Sequence, residues 1–388
     1  MSEIKVEVVK DSRGFAALER EWGDLYQNCP RTTPFQSWQW LYSWWEYYGE
    51  SYELRLITMR LSDGLLVGTV PLMLERRIGF GRLLWIGTGL SDYLDVVVRA
   101  GWERQVAEAA VRALVGIRSW YVLDLHQVRL DAAACDIYQS WCGPRLYVRQ
   151  GGCPVIEVKP WDELLASLSK NLRSTVRRAA RRAADDGLYR KIAETPDTKQ
   201  AARRLVALHR EAWQERSIGP EHLTKTFEDF IVAAADRMVD MELGGISEFW
   251  QGEEVCISNL LLLGRGYCGT YVQGASQKAM QRYQWSSLYI WDAVEIAHSK
   301  NMSYLDLLRG EEPYKLRWSS SVISTNRLIM GRHQASWMAY AGYHALRSRA
   351  KVYSRCEAAP YWIKRAAGEY RALKRKIIFE AQKFRGRI

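Results

Sequence analysis

A chain of 388 residues, 48% hydrophobic and 26% charged, has the make-up of a globular protein with room for two ordinary cores, not of a disordered one. No apolar run approaches the roughly 20 residues that cross a bilayer, which excludes a transmembrane enzyme. The opening MSEIKVEVVKDSRG has no uninterrupted apolar stretch like that of a secretory signal, so a cytoplasmic location is expected. The formal charge is +11, and the residues from Arg347 onward carry 13 Lys/Arg against 3 Asp/Glu, so the basic character belongs to a tail. Seven cysteines without a CxxC pair and six dispersed histidines predict neither a disulfide framework nor a metal site.

In chain order the pattern is mixed α/β. IKVEVV reads as a strand and Phe35 to Tyr48 as an aromatic helix. ELRLITMRL and LLVGTVPLML read as strands joined across Ser62-Asp63-Gly64, which is good hairpin chemistry. LLWIG, YLDVVV, a helix over 102–116 and the strand WYVLDL follow. Gly151-Gly152-Cys153-Pro154 interrupts the periodic patterns and is taken as the boundary between domains at 1–152 and 153–335. Beyond it come helices over 161–185 and 197–216, then strands EEVCISNLLLL and GYCGTYVQG around Gly264-Arg265-Gly266. A helix over 285–300 and the strand SYLDLL complete the second half. Residues 336–388 form a basic tail, helical from about 336 to 384, with Trp362, Tyr370, Leu373, Ile377 and Phe384 on one stripe. Such a stripe must be buried, first on the protein's own second domain, then on an anionic membrane, then on nucleic acid.

The segment SYLDLLRGEEPYKLRW, residues 303–318, carries the most chemistry. A strand running into a Gly-Glu-Glu-Pro turn brings Asp306, Arg309, Glu311, Glu312, Tyr314 and Lys315 into one arc. Lys315 can stabilise charge on a carbonyl oxygen, and a neighbouring carboxylate can take a proton from a nucleophile. An exposed charged turn with Tyr314 and Trp318 packed inward accounts for the same residues. Lys170, Arg173, Arg177 and Arg181 recur at three and four residues along one helix, a stripe suited to phosphates or simply to solvent. Asp92, Tyr93 and Asp95 lie between two strands, where they can orient a substrate hydroxyl or amine, or shape a turn. Trp38, Trp40, Trp44 and Trp45 cannot share one helix face, so most belong to the core. His209, among Leu205, Leu208 and Ala212, reads as a buried histidine.

Residues 310–318 carry a GxxxYKxxW pattern that resembles the signature of the cellulose-biosynthesis-type acetyltransferases, the BioF2-like (CelD/BcsL-like) branch of the GNAT superfamily, itself related to the FemAB peptidyltransferases. FQSWQWLYSWWEYYG, GLLVGTVPL, GTGLSDYLDVVV, LSKNLRSTVRRAARR and LHREAWQERSIG agree with it, so that it covers about 1–335. The resemblance implies an α/β (α+β) protein of two tandem GNAT-like domains with mixed sheets flanked by helices, and a role for Lys315 in acyl transfer. It implies an acyl-coenzyme A donor, with acetyl first among acyl groups, and an amine or hydroxyl acceptor on a sugar, cell-envelope precursor or specialised metabolite. Where the family has a Ser-Pro-Gly turn this chain has Gln284-Trp285-Ser286-Ser287. Ser286 or Ser287 is then expected to cap the following helix, and Lys278 and Arg282 to supply charge to the coenzyme pyrophosphate. Two alternatives stand beside this reading: an aminoacyl-tRNA-dependent aminoacyltransferase of the FemAB kind, and a non-catalytic glycan-binding module.

Overall fold

A computed structural model describes residues 3–77, 80–213, 220–335, 337–338 and 340. The expected tail helix beyond Tyr340, and its apolar stripe, lie outside the described residues.

The first half contains strands β1 (Lys5–Val9), β2 (Glu53–Leu54), β3 (Leu56–Arg60), β4 (Leu66–Val70), β5 (Leu72–Arg77), β6 (Phe80–Trp85), β7 (Val97–Val98) and β8 (Val122–Arg129). Its helices are α1 (Ser12–Ala16), α2 (Glu19–Gln27), α3 (Trp38–Tyr48), α4 (Glu103–Gly116) and α5 (Ala134–Ser140). The second half opens on β9 (Arg145–Glu157), then α6 (Trp161–Ser167), α7 (Lys170–Asp185), β10 (Tyr189–Ile192), α8 (Thr198–Trp213) and α9 (Lys225–Asp240). It continues through β11 (Gly244–Gln251), β12 (Glu254–Gly264), β13 (Tyr267–Ala275), α10 (Gln277–Arg282), α11 (Trp285–Ser299), β14 (Tyr304–Asp306), α12 (Pro313–Leu316) and β15 (Ser321–Gly331).

Strands β1-β3-β4-β7 make a small sheet, and β10-β11-β12-β13-β14-β9-β15-β8-β6-β5-β2 make one continuous mixed sheet through both halves. Three expectations change. LLVGTVPLML is two strands, because Pro71 breaks the run, and β4 and β5 join different sheets. The helix over 161–185 is two helices, since the Ser169 hydroxyl accepts from Leu172 N–H and starts α7 afresh. Gly151-Gly152-Cys153-Pro154 does not interrupt regular structure: all four residues lie inside β9. Gly152 is required there by close approach, because a Cβ would lie 2.3 Å from a methyl of Val322 and 2.7 Å from Glu311 Oε1. Trp38, Trp40, Trp44 and Trp45 are all buried, and Trp40 and Trp44 pack among Phe230, Tyr48 and Tyr271 of both halves.

Candidate functional site

The large sheet forks at its centre. Parallel β13 and β14 pair through Tyr267–Tyr304, Cys268–Leu305 and Gly269–Asp306, after which β13 runs on to Ala275 paired with β12 but parted from β14. The other prong turns along β9, with Leu307 N–H donating to Pro154 C=O (2.9 Å) and Gly310 N–H to Gly152 C=O (3.2 Å). The first half sends the segment around 87–95 across this fork. Tyr271 on β13 donates from its hydroxyl to Leu90 C=O (2.5 Å), while Tyr93 donates to Asp306 Oδ2 on β14 (2.6 Å).

Why the following turn holds its shape is answered by counting its N–H groups. Leu308 has φ +58° and Gly310 φ +115°; the first costs an L-residue about 1–2 kcal/mol, and the second suits glycine. Leu308 N–H donates to Asp306 Oδ1 (2.7 Å) and Arg309 N–H to Asp92 Oδ2 (3.2 Å), with Arg309 Nε 3.3 Å from Asp92 Oδ1. The Lys315 ammonium donates to Arg309 C=O (2.9 Å) and lies 3.2 Å from Glu312 Oε2. No backbone N–H from 307 to 310 is left over. Lys315, only 8% exposed, reaches the turn because Pro313 starts α12 and folds the chain back.

Burial tunes the groups behind the turn. Asp306 is fully buried, which lifts its carboxyl to about 7, against the pull of the Tyr93 and Leu308 hydrogen bonds. Burial and the neighbouring Asp306 push the Tyr93 phenol far up, so it remains a hydrogen-bond donor. Burial likewise pushes the Cys153 thiol up, with Asp306 and Asp92 adding to it.

The structure thus brings together Asp92, Tyr93, Asp306, Arg309, Glu312 and Lys315. Glu311 joins them as an exposed carboxylate lying against Gly152. Tyr314 stands slightly apart, its hydroxyl accepting from Tyr289 (3.3 Å). Asp95 is turned away from the fork: its carboxylate accepts from Val96, Ala133 and Ala134 N–H (2.7–2.8 Å), closing the start of α5, although burial lifts it to about 6. Arg129, absent from the sequence-level set, places its guanidinium 5.6 Å from the Tyr93 ring centre, and Tyr267 packs its buried hydroxyl close to Asp306. Their own segments carry no local sign of this role.

The residues expected to hold a coenzyme pyrophosphate are differently placed. The N-cap of α11 is Gln284, without a side-chain cap bond, so Ser286 and Ser287 are inside the helix and cap nothing. Arg282 makes two 2.8 Å hydrogen bonds to Asp186, and Lys278 donates to Gln251 Oε1 (3.1 Å). Trp285 and Ser286 N–H have no partner among the described residues, as the first turn of a helix leaves them. On α7, Arg173 donates to Ala166 C=O (2.9 Å) at the end of α6, while Arg177, Arg178 and Arg181 are exposed. His209 is the buried histidine expected: its Nδ1 lies 2.7 Å from Gln273 C=O, and burial lowers it to about 4. Among the described residues no group of His, Cys, Asp and Glu is arranged to hold a metal.

Residues 170–316, from the start of α7 to the end of α12, match a family model described as an acetyltransferase (GNAT) domain. The second half therefore carries a GNAT acetyltransferase domain, and the protein is an acyltransferase. This leaves no support for the glycan-binding module. The whole fold is similar to a crystal structure of FemX, with TM-score 0.60 and 12% identity over 83% of this chain and 98% of that one. It is also similar to L-PGS from Bacillus licheniformis (TM-score 0.52, 10% identity, 82% and 92% covered). The C-terminal domain of a putative lysylphosphatidylglycerol synthetase from Agrobacterium fabrum is a third likeness (TM-score 0.51, 9% identity, 84% and 95% covered). No curated protein matches in sequence. No helix among the described residues is long and apolar enough to cross a membrane.

Proposed function

We propose that the fork between β13 and β14 receives an acyl-coenzyme A thioester and that an amine or hydroxyl attacks it beside the 306–315 turn. The acceptor belongs to a sugar, a cell-envelope precursor or a specialised metabolite, as the BioF2-like resemblance implies. The observation that carries the reading is the fork itself: three paired residues, then a parting, with the acid-and-lysine turn at its base. The acceptor's lone pair attacks the acyl carbon, the C–S bond breaks, and the proton lost by the acceptor passes to Glu311 or Glu312. The departing thiolate takes a proton from solvent, and no covalent enzyme intermediate is needed. Arg309, with its side chain 42% exposed, faces the developing oxyanion, while Lys315, Asp306 and Asp92 position the turn. Trp285 and Ser286 N–H at the head of α11 would meet the donor's pyrophosphate. In this reading residues 1–152 and 153–335 act as two GNAT-like units sharing β9 as their seam, in a cytoplasmic protein.

The second reading changes the donor to an aminoacyl-tRNA. It is favoured by Arg282 and Lys278 being bound to other side chains, and by the exposed Arg177, Arg178 and Arg181. FemX, L-PGS and the putative lysylphosphatidylglycerol synthetase share a fold that suits this reading as well. Melting the protein with acetyl-coenzyme A and, separately, with charged tRNA distinguishes the two. A rise in melting temperature with the thioester, and transfer insensitive to ribonuclease, is expected. Transfer abolished by ribonuclease would replace the coenzyme A reading by the second.

A further inference from the structure

At the end of the sheet opposite the fork lies a cleft of about 380 Å³, within the range of small-molecule sites, about 300–1,000 Å³. It opens at the seam of the two halves. Residues 26–32, the end of α2 and the chain after it, form one wall; 241–243, 263–265, Lys300 and Met302 form the other. Leu243, Leu263, Met241 and Met302 contribute apolar surface to a lining that is otherwise polar. Three charges stand around it, Arg265, Lys300 and Glu242, and none is in an ion pair among the described residues. Arg265 spends one N–H on Gln27 C=O (3.0 Å) and keeps the rest of its fork. Tyr26, 7% exposed, keeps its hydroxyl buried beside Thr32.

We infer that this cleft binds a small organic monocarboxylate with an apolar body. Two unpaired cations, one a guanidinium, suit a carboxylate. The lone Glu242 opposes a doubly charged phosphate more than a single negative charge. The apolar surface of Leu243, Leu263, Met241 and Met302 takes the rest of the ligand. Because the ligand touches both halves, its binding energy adds to the seam between them.

The test uses the full chain and the methionine methyl NMR signals, with Met241 and Met302 as reporters and the buried Met59 and Met73 as controls. Isocaproate should shift the two reporters saturably, at up to about 50 mM, with the controls unmoved. Isohexanol, the same body without charge, should not saturate. Arg265→Gln with Lys300→Gln should weaken isocaproate about tenfold or more, and the single charge reversal Lys300→Glu serves if the pair fails to fold. Absence of a saturable shift, equal binding of the alcohol, or unchanged affinity in the charge variants would overturn the site. A Lys315→Met protein should bind isocaproate normally, which keeps the result independent of the fork.

Discussion

Lys315 gives its ammonium to a backbone carbonyl on a turn that would otherwise relax, so its removal should act through the turn. Lys315→Met keeps the stem and loses the charge-assisted hydrogen bond, worth about 1.5–3 kcal/mol. We expect a lower melting temperature together with turnover reduced on the order of 100-fold; wild-type turnover and stability would refute the clamp. Lys315→Arg should rescue neither, since a guanidinium needs more room than an 8% exposed site offers. Asp306 makes a prediction about pH. Its folded value of about 7 lies above the unfolded 3.8, so the folded state holds the extra proton between those values. The stability contributed by Asp306 therefore falls as pH rises from about 4 to about 7. Asp306→Asn mimics the protonated acid, so the stability of wild type minus variant should decline across that window in denaturant titrations; a constant difference would remove the buried-acid assignment. The sequence singled out Asp92, Tyr93, Asp306, Arg309 and Lys315 from loop chemistry and resemblance. Tyr93 meeting Asp306 across 213 positions, or Arg129 lying over Tyr93, is tertiary geometry with no local pattern to announce it.

Among the elements, α7 separates two duties that its arginine stripe conceals. Arg173 closes the carbonyl end of α6 through Ala166, whereas Arg177 is exposed. Arg173→Gln should cost about 0.5–1 kcal/mol of stability, the scale of a helix-end contact. Arg177→Gln should leave the melting temperature unchanged and raise the KM for the donor more than it lowers kcat. Equal kinetic effects with no stability difference would erase the distinction. The sequence revealed α4, α8 and α11 readily, because apolar spacing of three and four is strong over long segments. It missed β9, whose residues 145–150 are exposed along one edge and show no clean alternation. Missing that strand made its two glycines and proline read as a break in the periodic pattern.

For the whole molecule, the decisive strand is β15, which lies between β9 and β8 and pairs antiparallel with both. Arg327 on β15 makes two hydrogen bonds to the buried Asp124 on β8 (2.6 and 2.7 Å), and Arg82 and His126 approach the same carboxylate. Burial works against that charge, but the Arg327 and His126 hydrogen bonds hold the carboxyl well below its ordinary range. Chains 1–152 and 153–388 produced separately should each lack cooperative unfolding, and mixing them should restore it. Sharp independent transitions would show two autonomous units instead.

The place of β15 also bears on birth order. Strands β8 and β9 are synthesised in succession, yet the sheet sets between them a strand made about 160 residues after β9. A chain emerging from the ribosome therefore carries two open sheet edges through about two-fifths of its translation. The centre of the sheet closes only when Ser321–Gly331 arrives. Slowing translation before that strand should prolong the interval in which nascent chains are open to chaperones, proteases and one another.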